Sequence, residues 1–479
     1  MTTRPHERAP GSSASASPGG AAGDTALIAA RLDRIPPNRF HARLAGILGT
    51  GTFFDGFDAI SIAVVLSAIV AYFDISIAQA SFIISAGYLG QLIGALIIGA
   101  LSERIGRRPA FVLCVITFGV LSLGAALSWS ATSLLVFRLL QGMALGAEVP
   151  IAAVLMNEYL SSRKRGRIGL LYQSLFPWGL FFAPLTGFLL IETTGPESAW
   201  RYLFAIGALP AVVGIWAWFK LPESARWLAG KGRTIEADAL VRQVEAAAAR
   251  RGDDLDEPYV AAASLVGSRD FHPSEIFQGV YLRRTVMVWS AWFLASFINY
   301  GCAVWLPTLL IKLGGVSPSK SLFLTTAVCA ISVVATLLGT LVIDRIGRKK
   351  LLIGSFATMM LGGLVGTLGV GVFSWSTLPV LVAAGAIIAI GAPLALGPLW
   401  IYTGELYPTR MRGWASSAAS AMNRGASIVS PILMGAILTA GGGVSAVFSV
   451  LLVSAILGCV VLSWLGIETR NRALEDIAR

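Results

Sequence analysis

Residues 103–108 read Glu-Arg-Ile-Gly-Arg-Arg, and residues 344–349 read Asp-Arg-Ile-Gly-Arg-Lys. Each charged hexapeptide lies between two long apolar stretches. A second pattern is also duplicated, because Glu158-Tyr-Leu-Ser-Ser-Arg-Lys-Arg-Gly166 matches Glu405-Leu-Tyr-Pro-Thr-Arg-Met-Arg-Gly413. The copies are separated by 241 residues for the first pattern and by 247 for the second. This nearly constant separation predicts two similar halves in parallel orientation.

The apolar stretches around these repeats are long enough to cross the roughly 30 Å hydrocarbon core of a bilayer. The chain is 55% hydrophobic and only 13% charged, whereas a soluble domain has about 25% charged residues. Much of the surface must therefore face lipid, and the predicted fold class is an all-α membrane protein with twelve transmembrane helices in two six-helix halves. The predicted spans 1 to 12 are 44–71, 82–101, 109–130, 133–156, 168–191, 200–220, 285–311, 321–343, 349–371, 377–403, 413–437 and 442–465.

The remaining segments are predicted to lie outside the membrane. Residues 1–42 begin with a stretch rich in Ala, Gly, Ser and Pro, which is typical of a disordered tail. The central loop, 221–284, is expected to contain short helices, and 234–251 has the composition of a surface helix. The predicted division is a tail at 1–42, helix bundles at 43–220 and 285–465 around that loop, and a tail at 466–479.

The distribution of basic residues predicts the orientation of the chain. Of the 37 Lys and Arg residues, 32 lie in the two tails and in the loops on the same side as them, whereas Arg201, Lys312 and Lys320 lie on the other side. Cytoplasmic loops carry the excess of Lys and Arg. We therefore expect a multi-pass protein of the cell membrane with both termini in the cytoplasm.

The net charge of +11 does not indicate nucleic-acid binding, because the basic residues are spread over short loops.

The sequence offers little for metal or enzymatic chemistry. The four cysteines fall inside apolar segments without metal-ligand spacing, and none of the three histidines lies in an apolar run. A proton carrier inside the membrane must therefore be a carboxylate. The chain has neither a phosphate-binding Gly-rich loop nor a nucleophile–base pair. We expect no enzymatic activity, no cofactor and no metal site.

Two motifs resemble those of the major facilitator superfamily. Gly99-Ala-Leu-Ser-Glu-Arg-Ile-Gly-Arg-Arg108 is similar to its signature in the loop between helices 2 and 3, with Glu103 where Asp is usual. Arg138-Leu-Leu-Gln-Gly-Met-Ala-Leu-Gly146 resembles its helix-4 pattern. The resemblance covers residues 31–477 and implies the major facilitator fold.

The motifs of individual branches are mixed. Pro222-Glu-Ser-Ala-Arg-Trp-Leu228 and the Glu405–Gly413 motif are similar to signatures of the sugar porters and of their organic-ion and synaptic-vesicle-protein-like relatives. Asp55-Gly-Phe-Asp58 resembles the helix-1 motif of aromatic acid:proton symporters. Span 7 lacks the paired glutamines expected of sugar porters, and Gly179–Gly187 partly resembles a motif of facilitator antiporters.

Charged residues at the predicted cytoplasmic ends of the spans are assigned to a gate. Their ion pairs would form when helix ends meet and break when the ends part. An exposed pair contributes only about 0–1 kcal/mol, so several pairs are needed to favour one state. The alternative is that these charges only set the orientation. The predicted gate residues are Glu103, Arg104, Arg107, Glu158, Arg165, Asp344, Arg345, Arg348, Glu405 and Arg412.

Four charged residues within spans 1 and 4 are predicted to couple transport to protons. Asp55 and Asp58 are three residues apart and share a helix face, and desolvation favours the neutral form of a carboxylate. The alternative for them is a packing or capping role, or a position wetted from the cytoplasm. Arg138 and Glu148 lie ten residues apart, on about one face of span 4. The superfamily resemblance implies proton transfer for Arg138, and a buried structural ion pair is its alternative.

The predicted substrate site contains one cation and a group of ring-bearing and amide side chains. Arg424 lies in the middle of span 11, where a cation needs a partner or an anionic ligand. The resemblance to aromatic-acid and organic-anion carriers implies carboxylate binding, and the alternative is pairing with Asp55 or Asp58. The other predicted contacts are Asn299, Tyr300, Trp400 and Tyr402.

The predicted function is proton-coupled uptake of a small organic solute by a monomer, with a carboxylate such as an aromatic or other organic acid as the preferred substrate class. The predicted partners are this substrate, protons and lipid. Three alternatives stay open from the sequence: a sugar or polyol:proton symporter, a drug/proton antiporter, and a membrane sensor that does not transport.

Overall fold

In the part of the chain that the computed structural model describes, twelve helical segments are long and apolar enough to cross a membrane. The structure describes residues 18–160, 172–250, 255, 257 and 272–470, without the side chains of residues 18–24, 100, 344, 409–410 and 412–413. The predicted all-α, twelve-span fold is confirmed. The gate residue Arg165 lies outside the described residues, and the side chains of Asp344 and Arg412 are likewise not described.

The first half and the central loop contain eleven of the described helices. The helix bounds are α1 Pro18–Asp33, α2 Arg39–Val64, α3 Leu66–Phe73, α4 Ile77–Ile105, α5 Arg107–Ala126, α6 Ala131–Tyr159, α7 Leu175–Thr194, α8 Pro196–Ile206, α9 Leu209–Lys220, α10 Ala225–Gly230 and α11 Thr234–Ala249. Span 1 is α2, spans 2 to 5 are α4 to α7, and span 6 is α8 followed by α9. The α10 and α11 helices belong to the central loop.

The second half contributes spans 7 to 12 as six further helices. After a short 3-10 helix at Pro273–Phe277, they are α12 Gly279–Lys312, α13 Pro318–Ile346, α14 Arg348–Gly371, α15 Thr377–Leu406, α16 Thr409–Thr439 and α17 Val444–Leu465. Because each half has an even number of spans, α2 begins and α17 ends on the same face. We call this the terminal face.

Two of the predicted spans are interrupted. The sequence predicts one helix over 44–71, whereas α2 ends at Val64 and α3 starts at Leu66. Span 6 divides between Ile206 and Leu209, just before Pro210 in the first turn of α9. A proline lacks the N–H that a continuous helix needs at this position. Both breaks join two apolar segments, so hydropathy alone does not reveal them.

The predicted disorder of the N-terminal tail is wrong for residues 18–33, which form α1. Leu32 is fully buried against apolar residues of the central loop. Arg31 donates to Asp238 at 2.5 Å and to Glu245 at 2.6 Å, both on α11. The hydrogen bond from Arg31 to Asp238 holds the pKa of Asp238 below its usual range. The tail composition does not predict a helix because its stability depends on docking to a segment about 200 residues away.

The two halves meet most closely on the face opposite the termini. There the rings of Phe188 on α7 and Phe323 on α13 lie with their centroids 6.0 Å apart. The Ser319 hydroxyl of α13 donates to the Glu192 carboxylate of α7. Near the middle, Ser85 on α4 donates to the carbonyl of Ile428 on α16 at 3.0 Å. These contacts close the opposite face, so access to the interior must come from the terminal face.

Candidate substrate and ion-coupling site

A central cavity of about 1070 Å³, counted with its opening to solvent, lies between the two halves. Its lining on α13 runs from Ser332 to Ile343, in the last turn of that span. The cavity therefore reaches the terminal face. The lining residues that bear charged, polar or aromatic side chains include Asp55, Gln173, Ser174, Trp292, Asn299, Tyr300, Ser332, Thr336, Thr340, Trp400, Asn423 and Arg424.

Arg424 connects the two halves at the centre of the membrane region. Its guanidinium donates to the Gln91 side-chain oxygen on α4, and its Nη2 lies 4.0 Å from Asp55 Oδ2 on α2. The Gln91 amide in turn donates to Asp55 Oδ1 at 3.4 Å. All three side chains are buried, yet Asp55 and Arg424 still line the cavity. An anion entering from the terminal face therefore reaches a cation whose present partners are an amide and a carboxylate of the other half.

Asp58 belongs to a separate, buried cluster inside the first half. Arg138 Nη1 donates to Asp58 Oδ1 at 2.5 Å and to the Gln141 side-chain oxygen at 2.8 Å. The Gln141 amide donates to the same Asp58 oxygen at 3.1 Å. Neither Asp58 nor Arg138 lines the cavity. The two acids of the Asp55–Asp58 motif thus have different partners.

Glu148 is the third acid at the centre, and it is almost completely buried at 1% exposure. Neither of its carboxylate oxygens makes a hydrogen bond. A side chain at Gly51 on α2 would overlap this carboxylate, so the absence of a β-carbon there is what admits Glu148. The acid lies within electrostatic range of Asp55 and Arg424. Structures rarely leave a buried carboxylate without a partner.

Three of the four predicted ring-bearing and amide contacts line the cavity: Asn299, Tyr300 and Trp400. The Trp400 ring packs at an angle of 73° on Trp292, with centroids 4.9 Å apart. Tyr402 does not line the cavity. Its hydroxyl donates to the carbonyl of Ile467 at 2.6 Å, because it lies on the other side of α15 and faces the segment after α17.

Five of the gate residues with described side chains form ion pairs, each within its own half. Arg107 lies 3.8 Å from Glu158 and donates to Glu103 at 2.8 Å. Arg348 lies 3.1 Å from Glu405 in the second half. These pairs connect α5 with α6 and α14 with α15, so the duplicated charges make duplicated contacts. Arg104 and Arg345 are exposed.

The sequence interpretation missed several polar residues of the site. Gln91 and Gln141 are isolated amides in apolar spans, which is the signal that could have revealed them. A hydroxyl residue recurs every four positions on α13, at Ser332, Thr336 and Thr340, and all three line the cavity. Among the described residues, no group of three or more His, Cys, Asp and Glu side chains could hold a metal ion.

Comparison with known proteins identifies the family. A family profile described as "Sugar (and other) transporter" matches residues 45–479. The niacin transporter of Acinetobacter baylyi is 30% identical over 94% of this chain and 99% of its own length. The gallate transporter of Pseudomonas putida is 30% identical over 83% of this chain and 86% of its own. The structure of a proton:xylose symporter of the major facilitator superfamily matches with a TM-score of 0.71 at 19% identity, over 91% of this chain and 98% of that one. The chain therefore belongs to the sugar (and other) transporter family of the major facilitator superfamily.

Proposed function

We propose that this transporter is a proton-coupled symporter that takes up a small organic acid through the cell membrane, with both termini in the cytoplasm. The observation that carries this proposal is the position of Arg424. It lines a cavity between the halves and pairs only loosely, at 4.0 Å, with Asp55. A cation in this setting is suited to an anionic ligand. We treat the active unit as a monomer.

The proposed coupling step exchanges one carboxylate for another at Arg424. A substrate carboxylate would bind the guanidinium and displace Asp55. Leaving Asp55 as an unpaired buried charge would cost several kcal/mol, so we expect it to take up a proton at this point. The centre then has the same net charge with and without substrate. This charge balance would allow the two halves to rock in either state.

The substrate class rests on the rest of the cavity and on relatives. Trp400 and Tyr300 present ring faces, and Asn299 presents an amide. The named substrates of two relatives, niacin and gallate, are both ring-bearing carboxylic acids. A sugar is the second candidate, because the hydroxyl residues of α13 and Asn299 offer hydrogen bonds to a polyol. A sugar would leave the charge of Arg424 without a function.

Uptake into vesicles tests the proposal. Labelled niacin, gallate and xylose are offered with a pH gradient, with the membrane potential collapsed. A membrane potential of about 100 mV supplies about 2.3 kcal/mol for each charge moved. One proton carried with one monoanion moves no net charge, so acid uptake should persist when the potential is collapsed. Loss of acid uptake under these conditions would contradict one-to-one coupling.

A matched pair of substitutions tests the role of Arg424. Arg424→Gln should lower acid uptake about ten- to hundredfold, since a hydrogen bond to a charged group contributes about 1.5–3 kcal/mol. Arg242→Gln removes an exposed cation on α11 and should leave uptake unchanged. Xylose uptake that survives Arg424→Gln, without any acid uptake by the unsubstituted protein, would favour the sugar symporter.

A further inference from the structure

Three carboxylates but only two guanidinium groups are buried together at the centre of the described spans. Asp58 pairs with Arg138, and Asp55 faces Arg424. Glu148 remains as a third acid for which no cation is left. If all five groups were ionised, the centre would carry one uncompensated negative charge, and a buried charge without a partner is strongly unfavourable.

The surroundings of Glu148 favour a proton over a metal ion as the missing positive charge. On one side the acid borders a small void of about 190 Å³, whose other walls are apolar and include Phe54, Phe118 and Leu145. A hard cation bound there would lack most of the oxygen ligands that it needs. A proton needs only the carboxylate itself.

The titratable and charged groups that face Glu148 come from four other segments. They are Asp55 on α2, Arg424 on α16, Cys114 on α5 and Tyr172 just before α7. The Tyr172 hydroxyl lies beside that of Thr52, but neither makes a hydrogen bond of good geometry.

We propose that Asp55 and Glu148 form one proton-exchange pair that faces Arg424: one carboxylate pairs with the guanidinium while the other carries a proton. This inference rests on the proposed function and extends it. When a substrate carboxylate occupies Arg424, both acids are protonated, and the added proton comes from solution and binds to a carboxylate oxygen. When the substrate leaves, one acid releases its proton and returns to the arginine.

The proposed pair can be tested in the substrate-free protein. Infrared difference spectra of the purified transporter at neutral pH should contain a protonated-carboxyl band from Glu148. Glu148→Gln should remove the band. Asp55→Asn should also remove it, because Glu148 then ionises to pair with Arg424. Arg424→Gln should strengthen it, because both acids are then protonated. The control Glu236→Gln changes an exposed acid paired with Arg233 and should leave the band unchanged.

Two infrared outcomes would overturn the inference. A band that persists in Glu148→Gln would mean that Glu148 is not the protonated acid. A band that persists in Asp55→Asn would mean that Glu148 holds its proton independently of Asp55, so that the two acids do not exchange. Neither outcome depends on knowing the transported substrate.

Proton uptake on substrate binding provides the second test. Calorimetric titration with niacin in buffers of different ionisation enthalpy should give about one proton taken up per niacin bound, by linkage. Each single variant, Asp55→Asn or Glu148→Gln, should retain this uptake, and the double variant should lose it. Loss of proton uptake in Asp55→Asn alone would refute the pair. If the unsubstituted protein binds neither niacin nor gallate, the proposed substrate class fails, and the infrared result still decides the pair.

Discussion

The ion pair of Arg138 and Asp58 is buried, with side-chain exposures of 4% and 7%. Removing one partner leaves the other charge uncompensated in a low-dielectric environment. We expect Arg138→Gln to lower the stability of the detergent-solubilised protein by about 3–5 kcal/mol. The double variant Asp58→Asn with Arg138→Gln should lose less than Arg138→Gln alone, because no charge is then buried. Thermal or denaturant unfolding of the three variants measures the difference.

An exposed ion pair provides the control for this prediction. Arg242 contacts Asp238 at 2.6 Å but is 74% exposed, so Arg242→Gln should change stability by less than about 1 kcal/mol. Equal losses in Arg138→Gln and in the double variant would contradict the prediction. They would show that Asp58 is no longer a buried charge once Arg138 has been removed.

The charged residues of the site were predictable from the sequence one by one, whereas their pairing was not. Asp55 and Arg424 stand out because a charge inside an apolar span requires a reason. Their association depends on packing between the two halves, because the two residues lie more than 300 positions apart in the sequence. The sequence left pairing with Asp55 or with Asp58 open, and the structure brings Asp55 to Arg424. Tyr402 is a residue type suited to a substrate contact, but it lies on the face of α15 that points away from the cavity.

The two halves share a helix cap that a glutamate far along the chain provides. Glu223 accepts from the backbone N–H groups of Arg107 and Arg108 at the start of α5. Glu468 accepts in the same way from the N–H of Arg348 at the start of α14. Negative charge at a helix N-terminus is favourable. In both halves the preceding glycine has a positive φ, +104° at Gly106 and +95° at Gly347, and a side chain there would meet the glutamate.

We expect these caps to affect transport without affecting substrate binding. Glu223→Ala and Glu468→Ala should each lower stability by about 0.5–2 kcal/mol, which is the usual cost of losing a side-chain cap. Their effect on uptake should be on the maximal rate, since neither residue lines the cavity. Initial-rate uptake measurements separate the rate from the apparent affinity. Glu236→Ala, which changes an exposed side chain of α11, is the control. A large loss of apparent affinity in either cap variant would contradict this view.

The number of membrane spans was predictable because a bilayer requires every spanning segment to be long and apolar. A span needs about 20 apolar residues, and all twelve stretches that meet this requirement form helices. Three features escaped the sequence interpretation for a shared reason. The breaks after Val64 and Ile206, and the docking of α1, depend on local geometry or distant contacts and leave the average hydropathy unchanged.

The described contacts between the two halves define one of the states that transport requires. The Glu192–Ser319 contact and the packed rings of Phe188 and Phe323 close the opposite face, while the cavity extends along α13 to Ile343 near the terminal face. Alternating access requires the closed contacts to separate. A crosslink that holds the opposite face closed should therefore stop the transport cycle in this state without blocking the cavity.

A reversible crosslink across the closed face tests this conclusion. Glu192→Cys with Ser319→Cys should react with a short, reducible bifunctional thiol reagent, because the two native side chains are in contact. Transport should be lost on crosslinking and return with reductant, whereas either single cysteine should retain transport after the same treatment. The background should lack Cys459, the only half-buried native cysteine among the described residues. A reporter, Thr340→Cys, at a half-buried position of the cavity lining on α13, should stay reactive from the terminal side in the crosslinked protein. Continued transport with the crosslink in place would show that this face does not open during the cycle.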